Sequence, residues 1–436
     1  FVGAPRILQA LGAHSILPGG AWFAKQNARN EPRNATYVTA AIVLLSLMLR
    51  DLNAIAPLIS MIFLITYATI NLVVFIEGSL RLLSFRPLLR VPRIVPLVGL
   101  LGCLFVMFII NPIVSLLAVA VIVSIYFALV NRHLTAPFGD VRSGLFVALA
   151  EWAAKRVKMA RGPTERAWKP NILLPTESAE KVRGVFRLVY HLAYPVGSIK
   201  LLGIAAQDEV QRLETSLADS ERALQEEGVF TSSSVMAAEN FPQGVIAAMQ
   251  ALSGSFFRPN VLFLDLPGDP ELHEELDEVV RVATRQRLGV AIVVEHPEAG
   301  LGRRNRINLW LPDQGPTWDM QMGFENLDLA ILLAYRLMDS WHASLNVIAV
   351  VEQASDRAKA ETFLARLVDL ARLPATTHVC VADGRFGRYS SDAPQADLNI
   401  FPFPDRLDAA FMWHLRDTTG AACLFTRDSG EENALA

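Results

Sequence analysis

The sequence predicts a chain in two parts, a membrane α-helical part followed by an α/β part with a mostly parallel sheet. Three observations predict this fold class. Long apolar runs crowd residues 37–131. Strand-like and helix-like segments alternate after Lys169. The composition is mixed: 52% of residues are hydrophobic and 19% are charged, which is too apolar for a wholly soluble chain and too charged for a wholly membrane-embedded one.

The apolar runs define the predicted membrane helices. They cover residues 37–49, 55–76, 94–110 and 113–130. A helix of roughly twenty apolar residues spans a bilayer core of about 30 Å. We therefore expect transmembrane helices near residues 36–50, 53–78, 93–110 and 112–131, within a partial transmembrane domain of residues 1–134. The alternative is a set of buried helices in a large soluble core.

Basic residues are distributed unevenly between the predicted loops. The tight breaks at Arg50-Asp51-Leu52-Asn53 and at Asn111-Pro112 should share one side of the membrane. The other side receives most of the flanking basic residues, which are Arg6, Lys25, Arg29, Arg33, Arg81, Arg86, Arg90, Arg93 and Arg132. Because excess Lys and Arg near helix ends mark the cytoplasmic side, the long C-terminal region is predicted to be cytoplasmic. We expect an integral protein of the plasma (inner) membrane.

Residues 135–164 form a predicted connector. Apolar residues recur at helical spacing from residue 145 to residue 158, with Trp152, Lys155 and Arg156 interleaved, which favours an amphipathic helix. This helix could lie on the lipid bilayer, where Lys158 and Arg161 also suit an anionic surface, or it could be an ordinary docking helix.

Short apolar strands alternate with amphipathic helices through the rest of the chain, a pattern typical of a mostly parallel sheet covered on both faces. The predicted strands are residues 171–174, 199–205, 261–266, 290–295, 307–311, 345–351, 378–382, 397–401 and 421–426. A break near residues 300–306 divides this region into two expected lobes, residues 165–305 and 306–436.

Several function classes are not favoured by the sequence. The net charge of -3 gives no electrostatic case for nucleic acid. The cysteines Cys103, Cys380 and Cys423 are interpreted as small buried hydrophobes, and no spacing suggests a metal site. Neither a phosphate loop nor a dinucleotide fingerprint follows a strand, so no cofactor is predicted, and Gly384-Arg385-Phe386-Gly387-Arg388 is interpreted as a solvated loop. An enzyme is not expected, because no nucleophile–base arrangement can be placed.

Short motifs in a fixed order resemble those of the cation–chloride cotransporter family. In the membrane part they are Gly3-Ala4-Pro5-Arg6-Ile7-Leu8-Gln9-Ala10-Leu11, Asn30-Glu31-Pro32, and Asp51-Leu52-Asn53-Ala54-Ile55-Ala56-Pro57 with its continuation through Tyr67. In the α/β part they are Trp168-Lys169-Pro170-Asn171, Ala238-Glu239-Asn240-Phe241, Pro259-Asn260-Val261-Leu262, Ile307-Asn308-Leu309-Trp310 and Leu424-Phe425-Thr426-Arg427-Asp428. Each motif is short, but their shared order covers most of the chain.

The resemblance implies both a fold and a function. Members of the family carry twelve membrane helices on the inverted-repeat fold shared with amino acid permeases, so the predicted helices would be the last four of a partial transport domain. A cytosolic C-terminal domain that helps to form homodimers is implied as well. The implied activity is symport of chloride with sodium and/or potassium. A tyrosine on the family's tenth helix that helps to bind chloride matches Tyr67, whose phenol hydroxyl can donate a hydrogen bond to an anion.

The resemblance leaves the coupled cation open. The family's cation sites lie on its first, third, sixth and eighth helices, so no cation-binding residue can be carried over, and the chain is expected to be a fragment of a longer transporter. Leu309-Trp310 keeps one of two family tryptophans, which indicates a distant, prokaryotic-type member. Two alternatives are an amino acid or polyamine permease, and a regulatory membrane protein that does not transport.

Overall fold

A computed structural model of the chain describes residues 3–13, 20–27, 31–48, 52–80, 91–130, 149–150, 168–255, 257–312, 318, 326–384, 393–403 and 406–435. The chain separates into two compact units, residues 1–161 and residues 162–436. Apart from residues 149 and 150, the predicted amphipathic connector lies outside the described residues, and so does the loop of residues 385–388.

The described residues of the first unit form helices. These are α1 (Gly3–Ala13), α2 (Gly20–Phe23), α3 (Arg33–Met48), α4 (Leu52–Leu80), α5 (Ile94–Ile110) and α6 (Pro112–Val130). The last four coincide with the predicted membrane helices, although α3 begins at Arg33 rather than near residue 36. Within the described ranges, α4 alone is long and apolar enough to cross a membrane, as judged by length and composition. The 17 residues of α5 fall just short of that length.

The turn between α5 and α6 follows from the Asn111-Pro112 pair. Asn111 is extended, with φ −161° and ψ 107°, and this conformation ends α5. Its Oδ1 accepts hydrogen bonds from the backbone N–H groups of Ile113 and Val114, each at 3.1 Å, and so caps α6. Pro112 occupies the first helical position, where a missing N–H leaves no hydrogen bond unmade. The tight break expected here is present.

The second unit is built on a ten-stranded sheet. Its strands are β1 (Asn171–Thr176), β2 (Ser198–Ala205), β3 (Phe230–Ala237), β4 (Val261–Asp265), β5 (Gly289–Val294), β6 (Arg306–Leu311), β7 (Ser344–Val351), β8 (His378–Asp383), β9 (Leu398–Pro402) and β10 (Ala422–Arg427). The strand order is β3-β2-β1-β4-β5-β10-β9-β6-β7-β8. Every neighbouring pair is parallel except β5 with β10, which confirms the mostly parallel sheet.

Helices cover both faces of this sheet. They are α7 (Ala179–Ala193), α8 (Val210–Glu226), α9 (Phe241–Leu252), α10 (Glu271–Arg285), α11 (Asp328–Trp341), α12 (Arg357–Leu370) and α13 (Ala409–Thr419). One apolar layer contains residues of α7, α8, α11 and α12, and the other contains residues of α9, α10 and α13. Within β1, Ile172 and Leu174 enter the first layer and Leu173 enters the second, because side chains alternate along a strand.

The edge strand β3 is missing from the predicted strands. Its sequence, Phe-Thr-Ser-Ser-Ser-Val-Met-Ala, carries serines where a buried strand would carry apolar residues. An edge strand lies at the rim of the sheet, so it does not need the continuous apolar run of a central parallel strand. The carboxylate of Glu221 in α8 accepts hydrogen bonds from the backbone N–H of Ser233, at 3.0 Å, and from the Ser233 hydroxyl. The helix that covers β3 therefore supplies a hydrogen-bond partner for polar groups of a strand whose sequence resembles that of a loop.

The sheet continues across the expected lobe boundary at residues 305 and 306. The last strand, β10, lies between β5 and β9 and joins the first five strands to the other four. The break near residues 300–306 is an ordered turn. Asp397, just before β9, accepts hydrogen bonds from the backbone N–H groups of Arg303, Asn305 and Arg306 at 2.8, 2.7 and 3.0 Å.

Candidate functional site

Tyr67, the residue predicted to bind chloride, lies within α4. Its side chain is 56% exposed on the first unit. Pro57 lies earlier in the same helix and lacks the N–H that would bond to the preceding turn, which weakens the helical ladder on the approach to Tyr67. Because the Tyr67 side chain is exposed, its phenol O–H is available to a ligand, and its assignment to chloride stays a prediction.

One helical turn after Tyr67, α4 packs closely against α5. The side-chain Nδ2 of Asn71 donates a hydrogen bond to the carbonyl oxygen of Tyr67 at 2.9 Å. The other side-chain atom, Oδ1, lies so near Gly99 that a Cβ atom there would approach it to 2.6 Å. A Cβ atom at position 99 would force the Asn71 side chain to shift, so the glycine favours close packing of α5 against α4 one turn after Tyr67.

A buried junction joins α4, α5 and α6. The Ser115 hydroxyl of α6 lies 2.6 Å from the carbonyl oxygen of Met107 and 2.7 Å from that of Asn111. Met61 of α4 adds its sulfur at 3.8 Å from the same hydroxyl. The hydroxyl proton is satisfied by backbone carbonyls, so the junction is a helix-packing contact. Across the described residues, no cluster of three or more His, Cys, Asp or Glu side chains is placed to hold a metal ion.

The second unit contains a cavity of about 540 Å³ at the carboxyl ends of β1 and β4. Its apolar lining includes Leu174, Val182, Phe241, Leu264, Leu266 and Leu276, and its polar lining is Thr176, Glu177, Lys181, Asn240, Asp265, Asp269 and Glu275. The strand order reverses between β1 and β4, because β2 and β3 lie on one side and β5 lies on the other. Ligands of open α/β sheets bind in the crevice that forms at such a reversal.

Two carboxyl groups at neighbouring strand ends are perturbed by this environment. Burial raises the pKa of Asp265, although Lys181 and the backbone N–H of Leu266 oppose the rise. Burial and the negative charge of Asp265 raise the pKa of Glu295, which follows β5. Lys181 forms an ion pair with Glu177 at 2.6 Å. Perturbed carboxyl groups at a cavity are common in binding sites.

The cavity was not among the sequence predictions, and a local signal for it exists. Leu266-Pro267-Gly268-Asp269 forms a sharp turn directly after β4, and the acidic start of α10 follows it. Neither feature identifies a pocket until the strand order is known.

His191 of α7 is engaged in hydrogen bonds. Its Nδ1 lies 2.8 Å from the Ser340 hydroxyl of α11, and the Arg304 guanidinium lies 3.1 Å from its Nε2. Because a guanidinium can only donate, Nε2 accepts and Nδ1 carries the proton. Burial and the charges of Arg304, Arg187 and Arg336 lower the pKa of His191. This residue is a neutral link between two helices.

Three protein families match successive parts of the chain. Residues 1–150 match the family described as amino acid permease. Residues 174–301 match the first, and residues 302–435 the second, C-terminal domain of the prokaryotic cation-chloride cotransporter. The two C-terminal matches meet within the turn that connects β5 to β6.

Relatives agree with these matches. The crystal structure of the cytoplasmic domain of a prokaryotic cation chloride cotransporter is 39% identical, with a TM-score of 0.56, and the match covers 62% of this chain and 99% of that one. The bumetanide-sensitive sodium-(potassium)-chloride cotransporter of Manduca sexta is 28% identical over 302 residues, which cover 67% of this chain and 28% of the relative. The chain thus belongs to the cation–chloride cotransporter family, as a membrane protein with a permease-like N-terminal region and a cytoplasmic C-terminal domain of the prokaryotic type.

Proposed function

We propose that the chain is part of a secondary active transporter that carries chloride together with sodium and/or potassium across the plasma (inner) membrane. The observation that carries this proposal is the succession, in one chain, of a permease match and both cotransporter C-terminal matches. Because the insect relative is named a sodium-(potassium)-chloride cotransporter, sodium, potassium and chloride are the ions to test first. Because the chain spans only 28% of that relative, the residues that select the cation are left to experiment.

In this proposal, Tyr67 donates its phenol hydrogen bond to chloride, in keeping with its exposed position on α4. The second unit serves as a regulatory domain through which two copies of the protein associate. Light scattering on the detergent-solubilised protein tests the association, and a strictly monomeric mass at high concentration would contradict it. The proposal assigns the chain no enzymatic step, no cofactor and no nucleic-acid partner.

A second candidate is transport of an amino acid or a polyamine. The observation that favours it is the match of residues 1–150 to the amino acid permease family. A shared transporter fold does not fix the substrate, so this match alone does not distinguish the two candidates.

The two candidates are separated by uptake into liposomes that contain the complete parent protein. Labelled rubidium or sodium is supplied with chloride and then with gluconate in its place, and labelled amino acids are supplied in parallel. Cation uptake that requires chloride supports the symporter. Amino acid uptake that is indifferent to chloride supports the second candidate. If neither label enters, a regulatory protein without transport activity becomes the better account.

A further inference from the structure

We propose that the cavity at the carboxyl ends of β1 and β4 binds an organic ammonium ion with an apolar body, and that Asp265 is its counter-charge. All residues that line the cavity belong to the second unit. The proposal does not rest on chloride symport, and it would stand if the transported substrate were different.

The shape of the cavity suits a small organic molecule. Its volume, about 540 Å³, falls within the range of drug-sized pockets. Val182 of α7 lines it from one face of the sheet, while Phe241 of α9 and Leu276 of α10 line it from the other. The apolar layers of both faces therefore meet around a single space, and this space can hold an apolar body away from water.

The charge of the lining selects a cation. Lys181 is already paired with Glu177, at 2.6 Å. The other charged groups of the lining, Asp265, Asp269 and Glu275, are all carboxylates. An ammonium group can donate charge-assisted hydrogen bonds to a carboxylate. Asp265 ends strand β4 and lines the cavity, and pairing with β5 holds its backbone in place.

The same lining disfavours phosphate and other anions. The connection from β1 to α7 has no glycine-rich loop. The N-terminus of α9 is capped by its own Asn240, whose Oδ1 accepts a hydrogen bond from the N–H of Gln243 at 3.0 Å. The first turns of α10 carry the acidic residues Glu274 and Glu275, and these oppose an anion at that helix end.

Isothermal titration of the full chain in detergent micelles tests the proposal with three probes of similar shape. The probes are 2-phenylethylammonium, the neutral 2-phenylethanol and the anionic 3-phenylpropanoate. We expect the ammonium to bind most tightly and the carboxylate not to bind. The substitution Asp265→Asn should weaken ammonium binding roughly tenfold or more and leave the alcohol unchanged, because only the charge-assisted contact is removed. The control Asp219→Asn, at an exposed ion pair on α8, should change neither affinity.

A second variant tests the position of the site independently of charge. Leu272 lines the cavity and is 43% exposed, so Leu272→Trp adds volume at the mouth without disturbing the core. This variant should weaken the alcohol and the ammonium alike. Equal ammonium affinity in wild type and Asp265→Asn would overturn the proposal. So would tighter binding of 3-phenylpropanoate than of the ammonium, or an absence of ammonium binding to the wild-type chain.

Discussion

Asn260 joins the first residues of neighbouring strands in the second unit. Its Oδ1 accepts a hydrogen bond from the backbone N–H of Asn171 at 2.7 Å, and its Nδ2 donates to the carbonyl of Lys169 at 2.8 Å. The Ser198 hydroxyl at the start of β2 donates to Asn171 Oδ1 at 2.8 Å. Two of the family motifs, around Asn171 and Asn260, therefore hold β4, β1 and β2 in register at the amino ends of these strands.

A second set of side chains holds β9, β6 and β7 in register. Asn308 donates to Asn399 Oδ1 at 3.1 Å and accepts from Asn346 Nδ2 at 2.8 Å. The indole N–H of Trp310 also donates to Asn399 Oδ1, at 2.9 Å. All three asparagines are buried and lie opposite one another in the strand register. A slip by one residue would leave these polar groups unpaired, so the network specifies the alignment.

Asp428, in the last family motif, caps a helix from outside it. Its carboxylate accepts hydrogen bonds from the backbone N–H groups of Asp328 and Leu329 at the start of α11, each at 2.9 Å. Burial raises the pKa of Asp428 to about 7, and the nearby charges of Glu432 and Asp328 also raise it, while the two N–H groups oppose the rise. The folded protein therefore holds a proton at Asp428 over a pH range in which the unfolded chain has released it.

Asp428 should make the second unit less stable as pH rises. Since the pKa is higher in the folded state, its stabilising contribution is full below about pH 4 and is lost as pH approaches 7. The free energy of unfolding should fall by up to about 1.4 kcal/mol per pH unit in this window. Asp428→Asn should make the free energy of unfolding depend less steeply on pH. The substitution also removes one hydrogen bond, which should lower that free energy by about 1 kcal/mol at every pH.

Urea denaturation of the chain at several pH values measures the effect of Asp428→Asn. The comparison variant is Asp219→Asn, which changes an exposed carboxylate of an ion pair with Arg222 and should keep the wild-type slope. A slope in Asp428→Asn as steep as that of the wild type would show that another group takes up the proton.

Helices and strands can be predicted from the sequence where the need for burial makes their residues apolar. Buried strands are mainly apolar: β5 is apolar throughout and β7 is apolar from Val347 to Val351, so both could be predicted closely. The edge strand β3 could not be predicted, because it is rich in serine and one of these serines, Ser233, bonds to Glu221 of α8. The sequence does not show which helix lies beside which strand. The antiparallel placement of β10 and the cavity at the carboxyl ends of β1 and β4 were missed for the same reason. Both depend on strand order, which no local pattern encodes.

Gly203 provides a test of how α8 packs on the sheet, and Gly184 provides its control. A Cβ atom at Gly203 of β2 would lie 2.8 Å from the Leu217 Cδ1 of α8 and 2.9 Å from the Leu213 Cδ2. We expect Gly203→Ala to destabilise the second unit by about 1–3 kcal/mol, because the well-packed methyl groups must shift. Gly184 of α7 has no heavy atom within 4 Å of its Cβ position. Gly184→Ala should stabilise the helix by about 0.5–1 kcal/mol.

Urea midpoints of the two alanine variants check the prediction, with the wild type as the common reference. The packing of α8 described above would be wrong if Gly203→Ala were as stable as the wild type. A loss of stability in Gly184→Ala would instead show that α7 has an unseen neighbour at that position.

At the scale of the second unit, the continuous sheet predicts a single cooperative structure rather than two independent lobes. β10 links β5 to β9 by hydrogen bonds on both sides, and His191 links α7 of the first half to Ser340 of α11 in the second. Opening one half would expose the pairing edge of the other. Hydrogen exchange of the full chain in detergent should therefore give β4 and β7 the same free energy of opening. Exchange of β7 while β4 stays protected would indicate two lobes that unfold separately.

For the transporter proposed above, the hypothesis to test is chloride symport with Tyr67 at the anion site. The most direct measurement is the chloride concentration that gives half-maximal cation uptake into liposomes containing the complete parent protein, compared between Tyr67→Phe and Tyr37→Phe. Tyr37 is an exposed tyrosine of α3, so its substitution removes an equivalent hydroxyl away from the proposed site. We predict that Tyr67→Phe raises this concentration roughly tenfold, the effect of one lost hydrogen bond to a charged group, while Tyr37→Phe leaves it unchanged. Equal chloride dependence in the two variants would contradict it.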